Sequence, residues 1–193
     1  MQMAHQALLD SDLHLAEQVI TDDERIDELA AEAEQRLVAI LALQAPVAGD
    51  LRLVVSGIQI TASLRRMGQL ARHVAVLVRL RHPEPLLTAQ ARDVVTEMGG
   101  FAVATAASLR EALITRDLEL VRRLQTDDVK MNELRTDLFT ITLSPDWPYS
   151  VETAVNLTLL GRFYERFCDQ AAYVANRIEW SMFAAAGDRA RHR

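Results

Sequence analysis

One stretch of this chain is written twice, and that constrains its fold more than anything else in it. Residues 8–29 align with residues 113–134 at a constant offset of 105, and nine of the 22 positions are identical. The matches are Leu8/Leu113, Asp12/Asp117, Leu13/Leu118, Leu15/Leu120, Thr21/Thr126, Asp22/Asp127, Asp23/Asp128, Glu28/Glu133 and Leu29/Leu134. Further on the offset becomes 100, and Arg66/Arg166, Ala71/Ala171, Val74/Val174 and Ala75/Ala175 coincide. The change of offset falls in proline-containing connections, where length changes are tolerated. Self-similarity on this scale means one supersecondary unit built twice.

The unit is helical. Prolines 46, 83, 85, 145 and 148 cluster at three places. Proline inside a helix costs about 3 kcal/mol, so these places are junctions. Between them apolar residues recur at spacings of three and four, with no convincing period-2 stretch. The clearest seam is Leu157, Leu160, Tyr164, Phe167, Ala171, Val174 and Ile178, the buried stripe of a long bundle helix. Helices are predicted near 2–10, 13–44, 50–80, 88–115, 118–143 and 149–185. Asp12 and Asp117 sit in short turns, and Asp50, after Pro46 and Gly49, is placed to cap the following helix. The expectation is an all-α fold of two tandem three-helix bundles, residues 1–82 and 86–186, with a basic tail at 187–193.

Half of the 193 residues are hydrophobic but only 5% are aromatic, a mixture of Ala, Leu, Val and Ile suited to close helix packing. The formal net charge of −6 excludes a general nucleic-acid binder, which needs a basic footprint. Arg189, Arg191 and Arg193 read as a solvated terminus. Cys168 is the one cysteine, so no disulfide forms within the chain. Uncharged apolar runs fall short of the roughly 18 residues of a membrane helix, and the start does not read as a signal peptide. These features give a cytoplasmic expectation.

One acidic constellation carries possible chemistry. Glu165 and Asp169 are four apart and share a helix stripe beside the seam. Like charges at that spacing repel, and a bound cation would remove the penalty. Asp23 and Asp27 have the same spacing, and their repeat partners are Asp128 and Asn132. Oxygen-only ligation suits hard or borderline cations such as Mg, Mn or Fe. The competing reading is ordinary surface ion pairing, because Arg162 and Arg166 lie within one turn. No Glu-x-x-His occurs, which argues against a ferritin-like di-iron oxidase. Cys168 reads as an inert buried thiol and His73 as an ordinary surface histidine. There is no glycine-rich phosphate loop, zinc spacing or nucleophile motif.

Residues 44–52, Gln-Ala-Pro-Val-Ala-Gly-Asp-Leu-Arg, and Leu64-Arg-Arg-Met-Gly-Gln69 resemble the PhoU family of bacterial phosphate-signalling proteins. So does Gly161-Arg-Phe-Tyr-Glu-Arg-Phe-Cys-Asp-Gln-Ala171, and the resemblance spans essentially the whole chain. The Ala/Arg/Val-rich composition is similar to that of actinobacterial members. The resemblance implies two symmetric three-helix bundles with metal clusters held by acidic motifs on their surfaces. It also implies negative regulation of the phosphate-starvation response, as a link between a phosphate ABC transporter ATPase and a sensor histidine kinase. Glu165 and Asp169 match the acidic motif, and Asp128 matches the acidic residue of the preceding helix; Asp23, Asp27 and Asn132 are weaker candidates. The metal implied is divalent or ferric: Fe, Mn, Mg or Zn.

Two departures from the family pattern matter. Arg65 and Gln69 stand where the second unit has Glu165 and Asp169, so Arg65 is expected to pair with Asp23 or Asp27 and leave the first unit metal-free or weakly loaded. The first helix is short, about two turns before Asp12, so either a partner subunit, in a homodimer, covers the first bundle or the chain start is a truncation. Asp50, Arg52 and Arg166 are candidate partner or anion contacts, and membrane association would be peripheral, through partners. The leading expectation is a non-enzymatic regulator. The alternatives are a carboxylate-bridged metal-binding protein or metalloenzyme, and a plain helical scaffold.

Overall fold

The computed structural model describes the backbone of residues 1–126 and 128–191, and the side chains of residues 1–126 and 129–182. Every regular element among them is a helix: α1 (Gln2–Asp10), α2 (Leu13–Gln44), α3 (Ala48–Arg81), α4 (Arg92–Thr115), α5 (Leu118–Thr126), α6 (Asp128–Thr142) and α7 (Val151–Arg191). The helix expected over 118–143 is described as α5 and α6, on either side of residue 127. Helices α1 to α3 form the first unit and α4 to α7 the second.

The duplication is visible in backbone detail. Helix α1 ends on Ser11 with φ 54°, and α4 ends on its repeat equivalent, Arg116, with φ 55°. Their amides close onto the carbonyls of Ala7 and Ala112, which are also repeat equivalents. A left-handed residue at a helix C-terminus satisfies carbonyls that the helix leaves open. The aspartates one residue on then start the next helices. The Asp12 carboxylate accepts from the Leu15 amide at 3.0 Å, and Asp117 accepts from the Glu119 amide at 2.8 Å. The same corner is thus built twice, although Ser and Arg occupy its left-handed position.

One correction concerns α3. It starts at Ala48, with Val47 as N-cap and no side-chain cap. Asp50 therefore lies inside the first turn, where its charge favours the positive end of the helix dipole, and it is not the capping residue. Ala45 and Ala48 both adopt left-handed backbone, with φ 43° and 49°, and turn the chain sharply enough to begin the helix early.

The centre of the molecule is the packing of α3 on α7. Contacts Arg52–Trp180, Gln59–Arg177, His73–Phe163 and Arg81–Glu152 run in opposite directions along the two helices, so they are antiparallel. These helices are repeat equivalents. Their small residues Ala71, Ala75, Ala171 and Ala175 are all buried, with Val74 and Val174 between them. Small side chains let helix axes approach closely. The seven seam positions of α7 predicted from spacing are buried throughout. On α4 the buried face is Val95, Met98, Ala102, Thr105, Leu109 and Ala112, again at spacings of three and four.

A buried polar contact joins the two units. His5 of α1 reaches across to α7, where its Nδ1 lies 2.8 Å from the Tyr164 hydroxyl. Tyr164 is fully buried, and its hydroxyl finds a partner here, as a buried phenol must. The ring of His5 presses on α4 at Gly99, where a Cβ would stand 2.0 Å from it. Glycine is required there by the close approach, not by backbone conformation.

Two predictions follow from this contact. Gly99→Ala should cost about 1–3 kcal/mol, the usual range for overpacking a core; an unchanged urea midpoint would refute the packing argument. Burial also lowers the His5 pKa below its ordinary value of 6.5, against an opposing pull from the Thr96 backbone. The unfolded chain then binds this proton more readily than the folded one, so stability falls as pH drops below about 6.5. Chemical denaturation at pH 7.5 and 5.5 should show that loss. His5→Gln should reduce it, leaving the parts due to His73 and the Met1 amino group, whose pKa values are lowered in the same direction.

Candidate functional site

In the first unit, α2 presents Asp23 and Asp27 to α3. Arg65 Nε donates to Asp27 Oδ1 at 2.6 Å, and Arg72 Nε lies 3.7 Å from Asp23 Oδ2. Asp23 Oδ1 is buried without a hydrogen-bond partner. Burial, then the neighbouring Asp27, raises the Asp23 pKa, against the arginines and His73. Gln69 accepts from Arg66 at 3.1 Å. His73 is not the surface residue expected from its flank position. It is half-buried, with its ring centroid 5.0 Å from that of Phe163 in the other unit. Burial first, then Arg66 and Arg72, keep it neutral to lower pH than an ordinary histidine.

In the second unit, Glu165 is buried and belongs to an ion triad. Its Oε1 accepts from Arg135 of α6 at 2.5 Å, and its Oε2 accepts from Arg162, one turn earlier on α7. Asp169 and Arg166 lie exposed on the flank of α7, and Asn132 faces outward from α6. The Asp128 side chain and the basic tail of residues 187–193 lie outside the described side chains. Arg135 went unnoticed in the sequence, because a single arginine on α6 carries no periodic or motif signal.

Among the described side chains, Glu165, Asp27 and Asp23 each lie beside arginine. Both oxygens of Glu165 face guanidinium groups, whose positive charge opposes a cation brought to the same carboxylate. Such charge-assisted pairs are among the stronger hydrogen bonds in proteins. In the first unit a cation would meet Arg65 and Arg72 together with the neutral amide of Gln69. Among the described residues no three His, Cys, Asp or Glu side chains are grouped so as to hold a metal ion. Arg135 and Arg162 thus lie within reach of Glu165, and Arg65 and Arg72 lie beside the aspartates of α2.

Arg52 and Asp50 sit at the far end of the molecule from this site. Arg52 is exposed and rests over the Trp180 ring at 5.8 Å. No helix among the described residues is long and apolar enough to cross a membrane.

The fold defines a class: a tandem pair of three-helix bundles related by internal duplication. Known proteins agree. The PhoU domain model matches residues 1–78 and 95–178. The chain is 46% identical over 187 residues to "Phosphate-specific transport system accessory protein PhoU homolog 2" of Mycobacterium tuberculosis, covering 97% of this chain and 86% of that protein. It is 40% identical over 178 residues to that organism's PhoU homolog 1, covering 92% of this chain and 80% of the relative. The crystal structure of PhoU from Pseudomonas aeruginosa superposes with a TM-score of 0.85 at 24% identity, covering 94% of this chain and 87% of the other. The phosphate transport system regulatory protein PhoU from Streptococcus pneumoniae gives 0.84 at 23% identity, with coverage of 94% and 85%. The chain belongs to the PhoU family.

The charge argument predicts a gain of metal by redesign. The purified protein, dialysed against manganese or iron and analysed by elemental mass spectrometry, should retain less metal than an Arg65→Glu, Gln69→Asp variant. That variant restores two acidic positions on α3 opposite Asp23 and Asp27. Equal metal in parent and variant would remove Arg65 as the determinant.

Proposed function

We propose that this chain is a non-enzymatic regulator of phosphate homeostasis. It links a phosphate ABC transporter ATPase to a sensor histidine kinase and holds the phosphate-starvation response off when phosphate is plentiful. The observation that carries this reading is membership of the PhoU family at 46% identity to a mycobacterial protein named as a phosphate-specific transport accessory factor. The architecture supports an adaptor. The described surface offers long helical faces and exposed apolar side chains, such as Leu29, Val38 and Leu43, which suit protein contacts. It works in the cytoplasm as a homodimer, reaching the membrane only through the transporter.

The alternative, a carboxylate-bridged metal protein, needs ligands with free lone pairs and an open coordination position. Glu165 and Asp27 are instead engaged by arginine.

Deleting the gene should raise expression of a phosphate-starvation reporter in phosphate-replete cells. Restoring the chain should return it to the repressed level. Co-purification from the same cells should recover the transporter ATPase or the kinase. A reporter indifferent to deletion would sink the regulatory reading. Light scattering that shows a monomer at micromolar concentration would remove the homodimer.

A further inference from the structure

The N-terminal part of α3 meets the C-terminal half of α7 in a basic and aromatic surface that the function above does not use. Arg52 of α3 lies over the Trp180 ring at 5.8 Å. Arg177 of α7 lies 5.6 Å from the same ring and 5.3 Å from Tyr173. Both rings are partly open to solvent, Trp180 at 36% and Tyr173 at 40%. Neither guanidinium makes an ion pair with a described residue. The polar contact of Arg177 is a long hydrogen bond to Gln59 at 3.4 Å, and its Nε is buried without a partner. This is notable in a chain of net charge −6, where Arg36, Arg65, Arg72, Arg79, Arg81 and Arg135 all face carboxylates.

The adjoining turn has two further properties. Val47 is 75% exposed and Leu43 is 85% exposed, so the chain entering α3 carries open apolar side chains a few residues before Arg52. The turn between them is built on left-handed Ala45 and Ala48. Each costs an L-residue about 1–2 kcal/mol, a strain that persists where the surrounding structure imposes it and that concentrates at functional segments. A guanidinium resting on an aromatic face keeps its planar N–H edge available for a carboxylate. Exposed Trp, Tyr and Arg are the residue types that dominate binding at protein interfaces.

We propose that this surface is a docking site for an acidic, amphipathic segment of a partner protein. Carboxylates of the segment engage Arg52 and Arg177, and its apolar side chains cover Val47, Leu43 and the open edge of Trp180. The proposal rests on charge and shape at this patch and stands independently of which partners the chain has in cells.

Trp180 supplies the readout. The chain holds two tryptophans, so a Trp147→Phe protein reports from Trp180 alone. It is titrated with a synthetic helical peptide that carries Glu on one face and Leu on the other, with the same peptide carrying Lys for Glu, with inorganic phosphate, and with phosphatidylglycerol vesicles. The expected result is a saturable change in Trp180 emission with the Glu peptide, weakened by salt, since exposed charges are screened within about 10 Å at 0.1 M. The Lys peptide should give none. Arg52→Glu with Arg177→Glu should lower affinity at least about tenfold, because each change replaces an attraction to the segment's carboxylates by like-charge repulsion. Arg52→Lys, which keeps the charge but loses the planar fork, should lie between. Circular dichroism of each variant checks that the helices are intact. Where the Arg177 substitution unfolds the protein, Arg52→Glu alone, at an exposed position, carries the test. Equal binding of both peptides, no response to the Glu peptide, or a response only to phosphate or to vesicles would each overturn the proposal.

Discussion

Everything in this molecule is organised around one contact, the antiparallel packing of two equivalent helices. A helix packed antiparallel on its own repeat equivalent defines a local twofold axis, and the residues nearest that axis meet their own counterparts. Met67 and Phe167, which are such counterparts, line one cleft. Ala71, Ala75, Ala171 and Ala175 set the spacing, and the larger residues interleave around them. The hydrophobic core is therefore one continuous cluster drawn from all seven helices, not one core per unit. Burial at this seam supplies the main driving force, at roughly 25 cal/mol per Å² of apolar surface.

Much of this was legible beforehand because it is periodic. The α7 seam, the Asp12 and Asp117 corners and the twofold plan all leave regular traces in the chain. What stayed illegible is what depends on a single residue meeting another from a distant helix. His5 carries no sequence signal for Tyr164, 159 positions away, and Gly99 reads as an ordinary helical glycine until a ring is found against it. Asp50 looked like a cap because glycine and proline precede it, but two left-handed alanines move the helix start upstream. Propensity rules do not anticipate alanine in that conformation.

The acidic motif shows the same division between pattern and partner. Four-residue spacing correctly places Glu165 and Asp169 along one flank of α7. Spacing is silent on what stands opposite, and the answer is Arg135 and Arg162 for Glu165. A residue that reads as a ligand in isolation becomes one corner of a charge triad. Its burial is then understandable, since a buried carboxylate needs compensating charge and hydrogen bonds to be tolerated. The first unit reaches a similar end by a different route, with Arg65 and Arg72 set against two aspartates of α2.

The His5 contact gives the duplication a meaning that its sequence alone does not. Two copies of a unit suggest two autonomous bodies joined by a tether. Here a side chain of the first copy is seated inside the second, touching both α4 and α7. The halves have surrendered their independence: neither completes its interior without the other. Loss of packing in either copy therefore exposes the interior of both.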